Sequence, residues 1–196
     1  MPLLQDVIPK PTAPFDALFE QEIDLYSKRI RCSELYPPDY ETKKITDPQV
    51  LDIIDGLNER EGPCLYWFEA DSPGIARELL DAMEKSRRFF AQPDQAIRVF
   101  PATNRNAVLA PESQVLYVGK RNYGFGKRKN LSHASGRMAI HFGHYHVGTT
   151  QGLHLAHWAK YDLTLHVMFL PTEATVYLPL LEKELAKKLK PLCGRH

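Results

Sequence analysis

The sequence lacks four features that often place a chain in a class of proteins: a strong net charge, a cysteine framework, an apolar run of membrane length and a secretory signal. Its formal net charge is only +1 over 196 residues, so any attraction to phosphate must come from local clusters of charge. It contains only 3 cysteines, spread along the chain, which excludes a disulfide framework and a Cys-x-x-Cys metal site. No apolar run approaches the ~20 residues of a membrane helix, and the first residues do not resemble a secretory signal. We therefore expect a cytoplasmic protein without a membrane partner.

The residues that are present indicate a packed domain of ordinary size. Apolar residues make up 43% of the chain and charged residues 25%, which is enough to build a core and too apolar for a disordered chain. Five basic residues fall within positions 120–129: Lys120, Arg121, Lys127, Arg128 and Lys129. Such a run is commonly a solvated loop, but it can also hold the phosphates of a nucleic acid, and both interpretations stay open.

The first 61 residues are expected to form an arm and a helical segment. Four prolines within residues 1–14 favour an extended arm. Apolar residues recur every three or four positions from Phe15 to Ile30, which predicts an amphipathic helix. Asp47 and Pro48 are typical of the cap and first turn of a second, short helix, and Gly62-Pro63 ends this region.

From residue 62 onward, short β-prone runs alternate with amphipathic helical patterns. Strands are predicted at 64–68, 96–100, 115–118 and 161–170, and helices at 72–90, 136–142 and 178–189. The segment 122–135 is rich in glycine and charge and is expected to be a loop. The pattern indicates a mixed α/β domain.

A few side chains in these elements could together act on a phosphodiester. Cleavage of that bond requires positive charge beside the non-bridging oxygens and groups that move protons. Tyr66 and Tyr117 lie in apolar strands, where a tyrosine is most often a core aromatic. Arg137 and His141 are four residues apart and share one helical face. Glu182 lies in a Lys- and Glu-rich helix, where a glutamate is commonly solvated, so no single residue is specific.

The order of these residues resembles the GIY-YIG nuclease family. Residues 64–66 (Cys-Leu-Tyr) are similar to the first motif of that family, and residues 117–119 (Tyr-Val-Gly) match its second motif. An arginine followed by a histidine one turn later stands at 137–141. The last helix carries Leu-Glu-x-x-Leu at 181–185 and is followed by Lys-Pro. The resemblance covers about residues 62–196.

The resemblance implies an α/β (α+β) fold: a three-stranded antiparallel sheet flanked by helices, at residues 62–196, with an insertion at about 71–112. It implies an endonuclease that hydrolyses phosphodiester bonds of nucleic acid, with DNA as the expected partner. It also implies Mg²⁺ or Mn²⁺ as cofactor, held by Glu182. The catalytic residues it implies are Tyr66, Tyr117, Arg137 and His141, and its second motif includes Gly119 and Lys120. Together with the basic run, this predicts the substrate-binding residues Gly119, Lys120, Lys127, Arg128 and Lys129.

The chain departs from the family pattern at the first motif. Cys64 stands where the family usually has glycine, and Tyr66 and Tyr117 are 51 positions apart, far more than is usual. Despite this separation, the resemblance predicts that the two tyrosines lie on adjacent antiparallel strands. Their hydroxyls would then open into one cleft with Arg137 and Glu182. It also predicts that the insertion folds outside the sheet as a helix-bearing excursion.

Two other functions remain open. A nuclease-like fold can bind nucleic acid without cleaving it, and the convergence of Tyr117, Arg137 and Glu182 in one cleft would discriminate between binding and cleavage. A His-ligated zinc hydrolase is the further alternative, although the spacing matches no known zinc motif. Its ligands would come from five histidines within 17 residues: His141, His144, His146, His154 and His157.

Overall fold

The computed structural model describes residues 23–36, 38, 44–91, 99–105, 112–144 and 150–194. The strands are β1 (Asp24–Ile30), β2 (Cys64–Ala70), β3 (Val115–Arg121) and β4 (Leu163–Phe169), and the helices are α1 (Pro48–Asn58), α2 (Pro73–Phe90), α3 (His133–Phe142) and α4 (Leu178–Leu189). Short 3-10 helices lie at Cys32–Glu34, Leu155–His157 and Thr172–Tyr177. The arm predicted at 1–14 and most of the strand predicted at 96–100 lie outside the described residues. Within the described ranges, no helix is both long and apolar enough to cross a bilayer.

The four strands form one antiparallel sheet in the order β1-β4-β2-β3. The predicted α/β class is confirmed, whereas the sheet has four strands and not the expected three. β2 and β3 are direct neighbours, with Tyr66 opposite Gly119 and Phe68 opposite Tyr117. The prediction that the two tyrosines lie on adjacent antiparallel strands is therefore confirmed.

The extra strand is β1, which lies where the sequence predicts the end of an amphipathic helix. The helix prediction is wrong for residues 24–30. Tyr26 and Ile30 are four positions apart, which suits a helix face, but an even separation also places both on one face of a strand. β1 pairs along its whole length with β4, Ile30 standing opposite Leu163. A partner strand far away in the sequence thus decides between the two periods.

The boundary expected after residue 61 falls inside one hydrophobic core. Ile30 of β1 and Val50 of α1 are buried in the same cluster as Tyr66 and Leu165. β1 and α1 therefore belong to the folded unit that contains β2, β3 and β4. The pairing of β1 with β4 joins residues 24–30 directly to the sheet of the domain predicted to begin at residue 62.

The helices begin where the sequence provides caps. The Asp47 carboxylate accepts hydrogen bonds from the backbone N–H groups of Gln49 and Val50, at 2.8 and 3.0 Å, and begins α1. Ser72 and Ser132 cap α2 and α3 in the same way. α3 ends at Gly143, whose φ of 104° is the left-handed conformation that favours glycine.

The two faces of the sheet carry different layers. On one face α1, α2 and α3 enclose the main core, which includes Leu79 and Met83 of α2 and Met138 of α3. α2 thus folds outside the sheet and packs its apolar face on the core, as expected for the inserted segment. On the other face, α4 packs Ala186 against Val118 of β3. We call these two sides the core face and the α4 face.

Candidate active site

A β-bulge sets the direction of the Tyr117 side chain. The register of β2 and β3 shifts after Phe68, so that Leu116 is an extra residue on β3. Leu116 and Tyr117 therefore both lie in the main core, whereas Val115 packs on the α4 face. The Tyr117 ring comes to lie beside that of Tyr66, with 6.1 Å between their centroids.

Gly119 makes room for the Tyr66 ring. It stands opposite Tyr66 in the β2–β3 register. A Cβ atom at this position would lie 2.5 Å from Cζ of Tyr66 and 2.9 Å from Cε1 of Tyr117. Only a residue without a side chain allows the Tyr66 ring to lie across β3 in this way. The role predicted for Gly119 as a substrate-binding residue is not tested by this contact, which is with the tyrosines.

Arg137 and His141 reach the two tyrosines from α3. Arg137 donates from Nε to Oη of Tyr66 at 3.0 Å and from Nη2 to Oη of Tyr117 at 3.4 Å. Its Nη1 donates to the backbone carbonyl of Gln151. Nε2 of His141 lies 3.1 Å from Oη of Tyr66. We call Tyr66, Tyr117, Arg137 and His141 the tyrosine–arginine cluster.

The proton on His141 can be assigned from its neighbours. The backbone N–H of Leu153 donates to Nδ1 at 3.2 Å, so Nδ1 carries a lone pair. Complete burial, with the Arg137 charge nearby, holds the pKa of His141 well below the ordinary 6.5, so the ring is neutral. Its one hydrogen is then on Nε2 and points to Tyr66. Oη of Tyr66 thus accepts two hydrogen bonds, from Arg137 and from His141.

Burial dominates the protonation of Tyr117. Desolvation raises the pKa of Tyr117, the nearby Tyr66 raises it further, and Arg137 offsets only part of this rise. Tyr117 is therefore a neutral phenol near pH 7. The positive charge of Arg137 acts to lower the pKa of Tyr117, but desolvation is the larger effect.

Arg121 is a further cation at the cluster that the sequence analysis did not place in the site. It follows Gly119 by two positions on β3 and so leaves the strand on the core face. Its Nε is buried without a hydrogen-bond partner. Burial and the charge of Arg137 lower the pKa of Arg121, while the hydroxyls of Tyr66 and Tyr117 act in the opposite direction. The alternation of strand residues after Tyr117 was the signal that could have identified it.

The structure does not bring Glu182 to the cluster. Glu182 forms an ion pair with Lys120, whose side chain alternates with those of Gly119 and Arg121 and so lies on the α4 face. Tyr117 and Arg137 converge on the core face, and the sheet lies between them and Glu182. The expectation of one cleft shared by all of them is therefore corrected, because successive residues of a strand point to opposite faces.

The residues present do not fit a divalent cation while this ion pair stands. Glu182 offers one carboxylate, and the Lys120 ammonium already neutralises it. No group of three His, Cys, Asp or Glu side chains within the described ranges could hold a metal ion. The same finding gives no support to zinc ligation by the described histidines, and His146 lies outside the described residues.

The basic loop, residues 122–132 between β3 and α3, is held by hydrogen bonds at its base. Backbone bonds join Gly126 to Leu131 at 2.7 Å, and Asn58 of α1 donates to the carbonyl of Asn130 at 2.8 Å. A groove of about 260 Å³ lies between the loop and α3. Its lining includes Lys127 and Arg128 of the loop, and Gly136 and Ile140 of α3. The side chains of Lys127, Arg128 and Lys129 are exposed.

No protein-family model, no curated protein and no solved structure matches this chain.

Proposed function

We propose that this chain is a nuclease that hydrolyses phosphodiester bonds of nucleic acid, DNA being the expected substrate. One observation carries the proposal. Four residues selected from separate segments, because they resemble GIY-YIG motifs, form one cluster joined by hydrogen bonds: Tyr66, Tyr117, Arg137 and His141. They come from β2, β3 and α3, and a chance similarity of short motifs gives no reason for such a convergence.

The cluster is suited to bind a phosphate and to neutralise the charge that grows on it. Arg137 and Arg121 lie on the same face of the sheet, partly removed from water. Burial alone would lower the pKa of Arg137, but Tyr66 and Tyr117 raise it, so its guanidinium stays charged. An arginine in a desolvated site interacts with a phosphoryl oxygen more strongly than it does in water. We assign to Arg137 the main stabilisation of the transition state, supported by Arg121.

The two tyrosines take different roles in the proposed reaction. Tyr117 is a neutral hydroxyl and can donate a hydrogen bond to a phosphate oxygen. Oη of Tyr66 receives hydrogen bonds from Arg137 and His141, which fix the position of that oxygen. Tyr66 is therefore the group proposed to orient the attacking water through its hydroxyl.

The family resemblance also implies Mg²⁺ or Mn²⁺ on Glu182, and this remains a proposal to be tested. β3 is an edge strand, so Lys120 and Glu182 on one face and Arg121 on the other border the same edge of the sheet. A cation at Glu182 would have to displace Lys120. We therefore derive no step of the reaction from the metal.

A second function, binding of nucleic acid without cleavage, is favoured by a different observation. Tyr66 is only 1% exposed and His141 is fully buried, and Glu182 lies across the sheet from them. In this case the basic loop binds phosphates, while the cluster only holds α3 against the sheet. The two functions differ in one measurable property, which is the breakage of the phosphodiester bond.

The experiment that separates them uses supercoiled plasmid and single-stranded DNA, each with Mg²⁺, with Mn²⁺ and with a chelator. Wild type is compared with Arg137→Lys and Tyr66→Phe, and binding is measured in parallel by fluorescence anisotropy. Nicking that both variants reduce supports the nuclease. Binding without nicking assigns the binding function, and the absence of both binding and nicking overturns both proposals.

The proposed binding of nucleic acid by the basic loop also has a quantitative test. Changing Lys127, Arg128 and Lys129 together to glutamine should weaken binding of all sequences about equally. The slope of log affinity against log salt should flatten by roughly two to three units, near one for each lost phosphate contact. The matched control changes Lys183, Lys187 and Lys188, three exposed lysines of α4, and should leave the slope unchanged. An unchanged slope in the loop variant would make these residues a solvated loop.

A further inference from the structure

We propose that the nucleic acid is bound as a single strand or an unpaired stretch, with its bases stacked on Tyr123 and Phe125 of the basic loop. This inference rests on the proposed function and names the class of substrate. It starts from two aromatic side chains that lie two positions apart and face the solvent. Phe125 is 67% exposed and Tyr123 is 43% exposed.

The loop presents these aromatic rings on a backbone that is already fixed. Phe125 forms an isolated β-bridge with Ser132, and the His133 N–H donates to the carbonyl of Gly124 at 2.7 Å. Gly124 and Asn130 have φ values of 121° and 66°, which are the left-handed conformations of a tight turn. A fixed loop loses little conformational entropy when a ligand binds, which favours its use as a stacking platform.

The charges on the two sides of the loop indicate how a strand would lie. The side next to α3 carries Lys127 and Arg128. The side next to α1 carries Glu59 and Glu61, beside the two aromatic rings. Arg60 also lines that side, but its guanidinium is paired with Asp24 at 3.2 Å and lies over the Tyr26 ring. Phosphates would follow the basic side, since carboxylates repel them.

The bases would then lie over Tyr123 and Phe125, towards the acidic side. Unpaired bases expose N–H donors on their edges, which Glu59 and Glu61 can accept. In a duplex the Watson–Crick edges are paired with each other and the faces of the bases are stacked, so neither is available to the loop. The combination of exposed rings, a basic side and an acidic side therefore selects unpaired bases.

The test measures the affinity for labelled oligonucleotides by fluorescence anisotropy. The probes are a 12-nucleotide single-stranded DNA, an RNA of the same sequence, and the blunt DNA duplex. Wild type should bind the single strands at least about tenfold more tightly than the duplex. The DNA and RNA arms decide which sugar the site accepts.

Phe125→Leu and Tyr123→Leu should each weaken single-strand binding by about tenfold, the effect of one lost stacking contact, without changing the salt slope. The control is Phe89→Leu, because Phe89 is 49% exposed on α2, away from the loop, and its loss should change nothing. Phe125→Trp should keep the affinity and add fluorescence quenching on binding, which confirms stacking without removing the ring.

The outcomes distinguish this inference from the proposed function. Equal affinity of wild type for single strand and duplex, or unchanged binding by Phe125→Leu, overturns the stacking inference and leaves phosphate binding intact. No binding of any probe by wild type overturns the proposed function together with this inference.

Discussion

The two faces of the sheet hold charged side chains in different ways. On the core face, Arg137 is buried and donates three hydrogen bonds, two of them to Tyr66 and Tyr117. On the α4 face, Lys120 and Glu182 form an ion pair whose side chains are 33% and 17% exposed. The same strand supplies both faces, because Tyr117 and Lys120 lie three positions apart on β3. Tyr117 and Lys120 are close in the sequence of β3, but their side chains lie on opposite faces of the sheet.

The difference in burial predicts a difference in sensitivity to mutation. A buried, hydrogen-bonded charge network is strongly destabilised when one member is removed, because its partners stay buried without bonds. A partly exposed ion pair is typically worth only ~0–1 kcal/mol. The core face should therefore respond strongly to single substitutions and the α4 face weakly.

The largest effect is expected at Arg137. Arg137→Ala should lower the single-turnover cleavage rate by about 10²-fold or more, because one preorganised donor to the transition state is lost. Arg137→Lys keeps the charge but not the planar fork and should still reduce the rate. Thermal unfolding of both variants shows how much of the decrease in cleavage rate is caused by unfolding of the protein. A folded Arg137→Lys protein that cleaves at the wild-type rate would remove Arg137 from the reaction.

The next largest effect is expected from Gly119→Ala, which should destabilise the protein by disturbing the packing of the tyrosine–arginine cluster. The added Cβ would lie 2.5 Å from Cζ of the Tyr66 ring, which is buried and hydrogen-bonded to Arg137 and His141. We expect a loss of about 1–3 kcal/mol in the free energy of unfolding, typical of overpacking. The control is Gly74→Ala in α2, where the nearest atom would be 3.8 Å away. Equal stability of the two variants would contradict the tight contact of Gly119 with Tyr66.

The buried histidine should make stability depend on pH. The pKa of His141 is held well below the ordinary 6.5 by burial, so below about pH 6.5 the unfolded chain binds a proton that the folded chain does not. The free energy of unfolding should therefore fall as pH drops from 6.5, by at most ~1.4 kcal/mol per pH unit for each such histidine. Burial also lowers the pKa of His144 and His166, which adds to the same trend.

Urea unfolding at several pH values between 5 and 7.5 checks this prediction. His141→Gln removes the titrating group and should flatten the pH dependence relative to wild type. An identical pH dependence in the two proteins would mean that the pKa of His141 is the same in the folded and the unfolded chain.

The smallest effect is expected for Lys120 on the α4 face, and it concerns the binding of the metal. Lys120→Met removes the ammonium that competes for Glu182 and should tighten Mg²⁺ binding by up to about fivefold, the size of a partly exposed ion pair. Glu182→Gln should abolish it. Calorimetry on the two variants and on wild type, in the presence of a non-cleavable nucleic acid, measures the affinity. Equal affinity in all three proteins would exclude Glu182 as the metal ligand.

Local features of the sequence predicted most of the elements. Asp47 and Ser72, each followed by proline, correctly marked the starts of α1 and α2, because a cap acts on the N–H groups of the next few residues. β2, β3 and β4 were found from their β-branched and aromatic content. Arg137 and His141 were placed on one face of a helix by their spacing, and the structure turns that face to Tyr66.

The sequence by itself determined these helix caps, the periodicity of apolar residues in the strands and helices, and the presence of a glycine at position 119. Only the tertiary structure decided that residues 24–30 pair with β4, that a bulge at Leu116 turns Tyr117 into the core, and that Glu182 lies across the sheet. The physical reason is the distance along the sequence over which each effect acts. Caps and periods act over a few residues, whereas register, the face of a sheet and burial depend on partners brought together by the fold, and burial in turn sets the pKa of Tyr117.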